Sequence, residues 1–124
     1  MKRKRRKGDK PEVRIGYLQE HSTCAVCLAG WREFGNWLEV HHIVGGSGRA
    51  DLYQNLLTLC RSCHDEYHRG GRLTPGMLLT AKLESNPEGY DESVILKLLG
   101  RKELPERWQP VPIPQAFIEM RERR

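Results

Sequence analysis

All four cysteines of this 124-residue chain, and four of its five histidines, fall between Cys24 and His68. They arrive as Cys24-x-x-Cys27, then His41-His42, then Cys60-x-x-Cys63-His64, then His68. Two such cysteine pairs offer four thiolates from two turns, and four soft ligands with no open position describe a closed, tetrahedral zinc site. A chain that brings Cys24 and Cys27 to the same ion as Cys60 and Cys63 must fold back on itself between them. Neither pair sits in the strand-helix-strand unit of a thioredoxin-like redox motif, and Cys63 and His64 are adjacent. A two-cysteine, two-histidine finger needs about a dozen residues between those pairs. A segment this short buries too little apolar surface to hold itself firmly, and a structural zinc contributes on the order of 10 kcal/mol to folding.

The formal charge of +5 is unevenly placed. Residues 1–10 carry seven Lys or Arg and one Asp, a net of +6, which leaves the other 114 residues at −1. Lys2, Arg3, Lys4, Arg5, Arg6 and Lys7 make a run too dense in like charge to collapse onto a core, so residues 1–10 are expected to be a disordered basic tail, free to lie along an anionic polymer. No apolar run is long enough to span a bilayer, and no apolar segment follows the basic start as in a secretory leader. The expectation is a cytoplasmic protein with no membrane association, in which paired cysteines hold metal and not disulfides.

After the tail, residues 11–100 read as one domain and 101–124 as a proline-rich arm with a short terminal helix. Val13 to Leu18 is compatible with a strand or a helical turn. Trp37 to Val44 has the aromatic and β-branched pattern of a strand, and Leu56 to Leu59 that of a second, antiparallel one. The glycine-containing connection between them lacks the Lys-Ser/Thr of a nucleotide-binding loop. Ser62 is expected to cap a helix that ends at Gly70-Gly71. Thr74-Pro75 starts another to about Ser85, and Asp91 caps a third that stops at Gly100. Prolines 105, 110, 112 and 114 extend the arm, and Gln115 to Arg121 forms its helix.

Strand side chains alternate between faces, so His41 and His42 cannot serve one centre in the same way. On the following helix His64 and His68 are four apart and share a face. A strand histidine opposite that pair gives three nitrogen ligands and leaves positions free, which is the open coordination of a catalytic cation. Glu39 lies on the His41 side of the strand, where its carboxylate can orient the His41 ring. His21, outside this register, is read as an ordinary satisfied histidine.

The double CxxC around His-His, Asn55 and Cys-His, from Cys24 to His68, resembles the HNH endonucleases, whose site is a ββα-metal finger. The four-cysteine knuckle resembles members common in phages and bacteria. The resemblance implies an α+β fold: a small ββα-metal finger with a four-cysteine zinc knuckle, followed by additional helices and the proline-rich arm. It implies that His42 is the general base and that Asn55 steadies the loop orienting it. His41 with His64 would hold one divalent cation (Mg²⁺, Mn²⁺, Zn²⁺ or Ni²⁺), and His68 matches an additional ligand seen in the colicin-like branch but not in every member. The implied reaction is hydrolysis of double-stranded DNA with low sequence specificity, leaving 5′ phosphate and 3′ hydroxyl ends. The basic tail and Arg49, Arg61, Arg69 and Arg72 are the expected phosphate contacts. A bacterial or phage-infected cell, a phage packaging terminase as partner, and a monomer or weak dimer complete the expectation. The rival reading is a non-catalytic zinc module that binds DNA or protein.

Overall fold

A computed structural model describes residues 8–31 and 37–123. Of the expected tail, residues 1–7 lie outside that range. Residues 8–10 are packed against the domain: the Gly8 carbonyl accepts from the Asp51 amide at 3.1 Å, and the Lys10 amide donates to Asp51 Oδ2 at 2.6 Å.

The undecided segment after the tail is helical. Pro11 presets the first turn of α1 (Pro11–Glu20), which buries Tyr17. The two strands are β1 (Leu38–His42) and β2 (Leu56–Cys60). They pair antiparallel with Leu38 opposite Cys60, His41 opposite Leu57 and His42 opposite Leu56. All five residues of β2 are buried, because α1 and α2 (Arg61–Asp65) both pack on the hairpin. The helix after β2 differs from the expected one at its start. Its cap is Cys60, whose Sγ accepts from the Cys63 amide at 3.5 Å, and not Ser62. The reason is the knuckle: turning Cys60 and Cys63 toward one centre puts a sulfur where a cap oxygen would otherwise sit. A π-helical turn, Glu66–Gly70, continues α2 and ends at Gly71.

The later helices follow their caps. Thr74 Oγ1 accepts from Met77 at the start of α3 (Pro75–Ser85). Asp91 Oδ1 accepts from Ser93 and Val94 at the start of α4 (Glu92–Leu99). The arm folds back on the domain. Leu104, Ile113 and Phe117 of α5 (Gln115–Glu122) join one core with Leu38, Leu57, Leu59, Leu73, Leu78, Leu79, Ile95 and the knuckle cysteines. At Gly76 the arm comes so close that a Cβ would meet the Gln109 carbonyl oxygen at 2.1 Å. Arg121 Nε donates to the Val26 carbonyl at 2.6 Å, tying α5 to the first cysteine turn.

A lysine amine is buried beside this core. Lys82 on α3 is fully buried, and its Nζ stands 2.7–3.1 Å from Asn86 Oδ1, the Leu56 and Tyr53 carbonyls and Tyr17 Oη. It also lies 4.6 and 5.1 Å from the Tyr17 and Tyr53 ring centroids. Burial pulls the amine down to about 7, and these oxygens and ring faces offset the cost of an ammonium there. The lysine thereby fixes the Tyr53–Asn55 turn to α3. Replacing it with an apolar chain of similar length strands those acceptors, so Lys82→Met is expected to cost roughly 2–4 kcal/mol, read as a lower urea midpoint at neutral pH.

Candidate functional site

The first centre is the knuckle. A loop hydrogen bond from Cys24 N to the Ala29 carbonyl, 2.9 Å, and another from Leu28 N to the Cys24 carbonyl, 2.9 Å, close the Cys24–Cys27 turn. Leu28 adopts φ 64° to complete it, a conformation costly for a non-glycine residue. The Ala25 amide donates to the Thr58 carbonyl at 2.8 Å and docks this turn on β2. All four cysteines are buried and unbridged, and their sulfurs lie within 4.8 Å of one another. Cys27 Sγ and Cys60 Sγ are 3.7 Å apart. A disulfide would need about 2.05 Å, whereas zinc–sulfur bonds near 2.3 Å place tetrahedral ligands roughly 3.8 Å apart. Crowding four thiols splits their acidities. Hydrogen bonds from Cys24, Cys60 and Cys63 hold the Cys27 thiol below its ordinary value, while those involving Cys24 and Cys27 push Cys60 and Cys63 up. Each ionisation hinders the next until a dication is present, so the donor set fits zinc.

The second centre lies beyond the hairpin. β1 turns His41 toward α2 and its π-helical continuation, where His64 and His68 stand one turn apart. Ring centroids are 5.4 Å for His41–His64, 5.6 Å for His41–His68 and 4.4 Å for His64–His68. One nitrogen from each lies within 4.8 Å of the others. His41 is 6 % exposed, and its Nε2 is buried without a hydrogen-bond partner. An orphaned buried nitrogen costs about 1–3 kcal/mol, and a cation would take it up, so these three histidines fit a divalent ion. Burial, then the nearby His64 and His68, pull His41 down to about 3, keeping one ring nitrogen's lone pair available to a metal. The Glu39 carboxylate does not meet the His41 ring as expected but faces His64, 3.9 Å from its Nδ1, because His64 on α2 lies over the exposed edge of the strand where Glu39 stands.

His42 points the other way, toward α1, and its Nε2 lies 2.6 Å from Asp51 Oδ1. The connection between the strands is held from inside by Asn55. Its Oδ1 accepts from the Val44 amide at 2.7 Å, and its Nδ2 donates to the Val44 and Ala50 carbonyls at 3.1 and 3.0 Å. Asn55 is fully buried, and its own carbonyl accepts from the Ile43 amide at 2.8 Å, immediately after His42.

A cavity of about 480 Å³ is lined by His41, His42, His64 and His68 together with Arg14 and Arg49. Arg49 also lies 3.6 Å from Asp9. The other expected arginines are dispersed. Arg61 and Arg69 are exposed on α2 and its continuation, and Arg72 forms a two-pronged pair with Glu66 at 2.7 Å while lying 5.2 Å from the Phe117 ring centroid. Sequence reasoning missed Asp51 and Arg14. Asp51 stood in a loop with no periodicity to single it out, and Arg14 in a segment whose element type was open. His21 is satisfied away from the site, 2.8 Å from Tyr53 Oη.

Residues 24–70 match the family described as HNH endonuclease. The chain is also similar to "Anaredoxin" of Nostoc sp. (strain PCC 7120 / SAG 25.82 / UTEX 2576), with 44% identity over 46 residues, which is 36% of this chain and 58% of the relative. The chain thus spans little more than half of that relative's length. No solved structure matches.

Two outcomes test the centres. Cys60→Ser removes a core ligand and the α2 cap together, and is expected to abolish the cooperative melting transition and drop zinc content below one ion per chain; a soluble variant with native melting would refute the structural role. For His41, a folded-state value near 3 against 6.5 unfolded means its contribution is present above pH 6.5 and is lost as pH falls toward 3. Without a cation on the histidines, stability should therefore fall more steeply across that window in wild type than in His41→Leu, as followed by urea titration.

Proposed function

Starting from a chain that carries an HNH endonuclease domain at residues 24–70, we propose that it hydrolyses phosphodiester bonds of double-stranded DNA, with His42 as general base and His41, His64 and His68 holding one divalent cation. The observation that carries this reading is the convergence of three histidine nitrogens, one of them buried and unpartnered, beside His42 in a single cavity. When bound, the cation supplies Lewis-acid stabilisation of charge on the phosphate and the leaving 3′ oxygen. The protein supplies the rest. His42 takes the proton from the attacking water, and Asn55 holds the backbone after it so that the ring keeps its place. Arg14 and Arg49 line the cavity with the charge that an incoming phosphate requires.

The mainly backbone-directed chemistry of the site supports low sequence specificity, and the basic residues 2–7 would add affinity through counterion release. The products expected are 5′ phosphate and 3′ hydroxyl ends.

Supercoiled plasmid incubated with the full chain and Mg²⁺ or Mn²⁺ should become nicked or linear, and chelator should stop it. His42→Ala should lower the rate by roughly 10²- to 10⁴-fold while zinc content and DNA affinity persist; retained cleavage removes His42 from the mechanism. A wild type inactive with every divalent ion leaves a zinc-binding module that does not cut. Deleting residues 2–7 should reduce the slope of log affinity against log salt by about 0.9 per lost phosphate contact, as measured by fluorescence anisotropy.

A further inference from the structure

Asp51 is buried at 2 % exposure in the middle of a polar loop, with both carboxylate oxygens engaged. Its Oδ1 faces Nε2 of His42 at 2.6 Å. Its Oδ2 accepts from the Lys10 amide at 2.6 Å and from Nη1 of Arg14, and its own amide donates to the Gly8 carbonyl at 3.1 Å. An ionised carboxylate only accepts hydrogen bonds, so the nitrogen facing it carries the proton. In a neutral imidazole the lone pair then resides on the other nitrogen, Nδ1. With Oδ2 anchored by two donors from the N-terminal segment, the carboxylate has no freedom to swing away from the ring. Neither Lys10 nor Arg14 lies in the 24–70 stretch that matches the family.

We infer that Asp51 is a positioning residue for His42: it selects the tautomer protonated at Nε2, fixes the ring plane, and leaves Nδ1 as the atom that accepts the proton of the attacking water. The inference rests on the proposed nuclease reading and extends it to the N-terminal helix. Gly8, Lys10 and Arg14 become part of the active site's support through their hold on Asp51, and Arg14 lines the cavity as well. The division of labour resembles that of a serine-protease aspartate, which sets histidine tautomer and orientation without taking the proton itself.

The test uses the full chain with zinc in its knuckle. Long-range ¹H–¹⁵N spectra of the histidine rings should show His42 protonated at Nε2 in wild type and mixed or reversed in Asp51→Asn. On plasmid with Mn²⁺, Asp51→Asn should lose kcat by on the order of 10- to 100-fold, less than the loss of the base itself, with KM near wild type. Asp51→Glu, which restores the carboxylate, should recover part of that loss. A merely structural role would move melting behaviour without moving the tautomer. Wild-type His42 protonated at Nδ1 overturns the inference, as does an Asp51→Asn variant with native melting that cuts at the wild-type rate. If Asp51→Asn does not fold, the wild-type ring spectrum and Asp51→Glu decide. A wild type that cuts no DNA removes the nuclease reading and the positioning role with it; a wild type that cuts alongside an unimpaired Asp51→Asn removes the positioning role alone.

Discussion

Four sulfurs drawn into one buried cluster organise the molecule. Cys24 and Cys27 lie in a turn docked on β2, while Cys60 is at once the last residue of β2, the cap of α2 and a member of the cluster. The direction in which α2 leaves the sheet is therefore set by where Cys63 must point. His64 follows Cys63 directly, and so its place, and that of His68 one turn later, is inherited from the knuckle. A domain of this size has too little core to impose such geometry by apolar packing alone. The core that does exist surrounds the cysteines and is completed from a distance in sequence, by α3, α4 and the returning arm with Phe117.

The hairpin divides the histidines by pleat. His41 is turned to α2 and becomes one of three nitrogens around a common point, whereas His42 is turned to α1 and meets a carboxylate. The loop between the strands is kept in register by the buried amide of Asn55, which satisfies two backbone carbonyls and one amide that would otherwise lie unpaired. The turn containing Asn55 is in turn fixed to α3 by Lys82. A buried amine, a buried amide and a buried carboxylate thus hold one loop, and that loop contributes Gly45 and Arg49 to a cavity otherwise lined from α1, β1, α2 and its continuation.

Much of this was legible from spacing. Two cysteine pairs, a His-His dipeptide and a helical His-x-x-x-His state their ligand geometry through fixed periodicities, 2 for a strand and 3.6 for a helix, which do not depend on what packs around them. The caps at Thr74 and Asp91 were equally local, because a side-chain oxygen and a free amide two or three residues on are all they require. The cap of α2 was not, since a sulfur took the place that Ser62 was expected to fill.

The sequence by itself determined which cysteines and histidines could share a centre, the order of the elements, and the separation of His41 from His42, because each depends on residues near one another along the chain. Only the tertiary structure decided who stands behind the histidines. Glu39 faces His64, and Asp51 joins His42 to Lys10 and Arg14 across 41 and 37 residues. It also decided that the proline-rich arm packs on the domain, with Arg121 reaching a carbonyl 95 residues away. Such pairings are chosen by where a loop closes and what charge needs company once buried, and neither leaves a periodic trace in the chain.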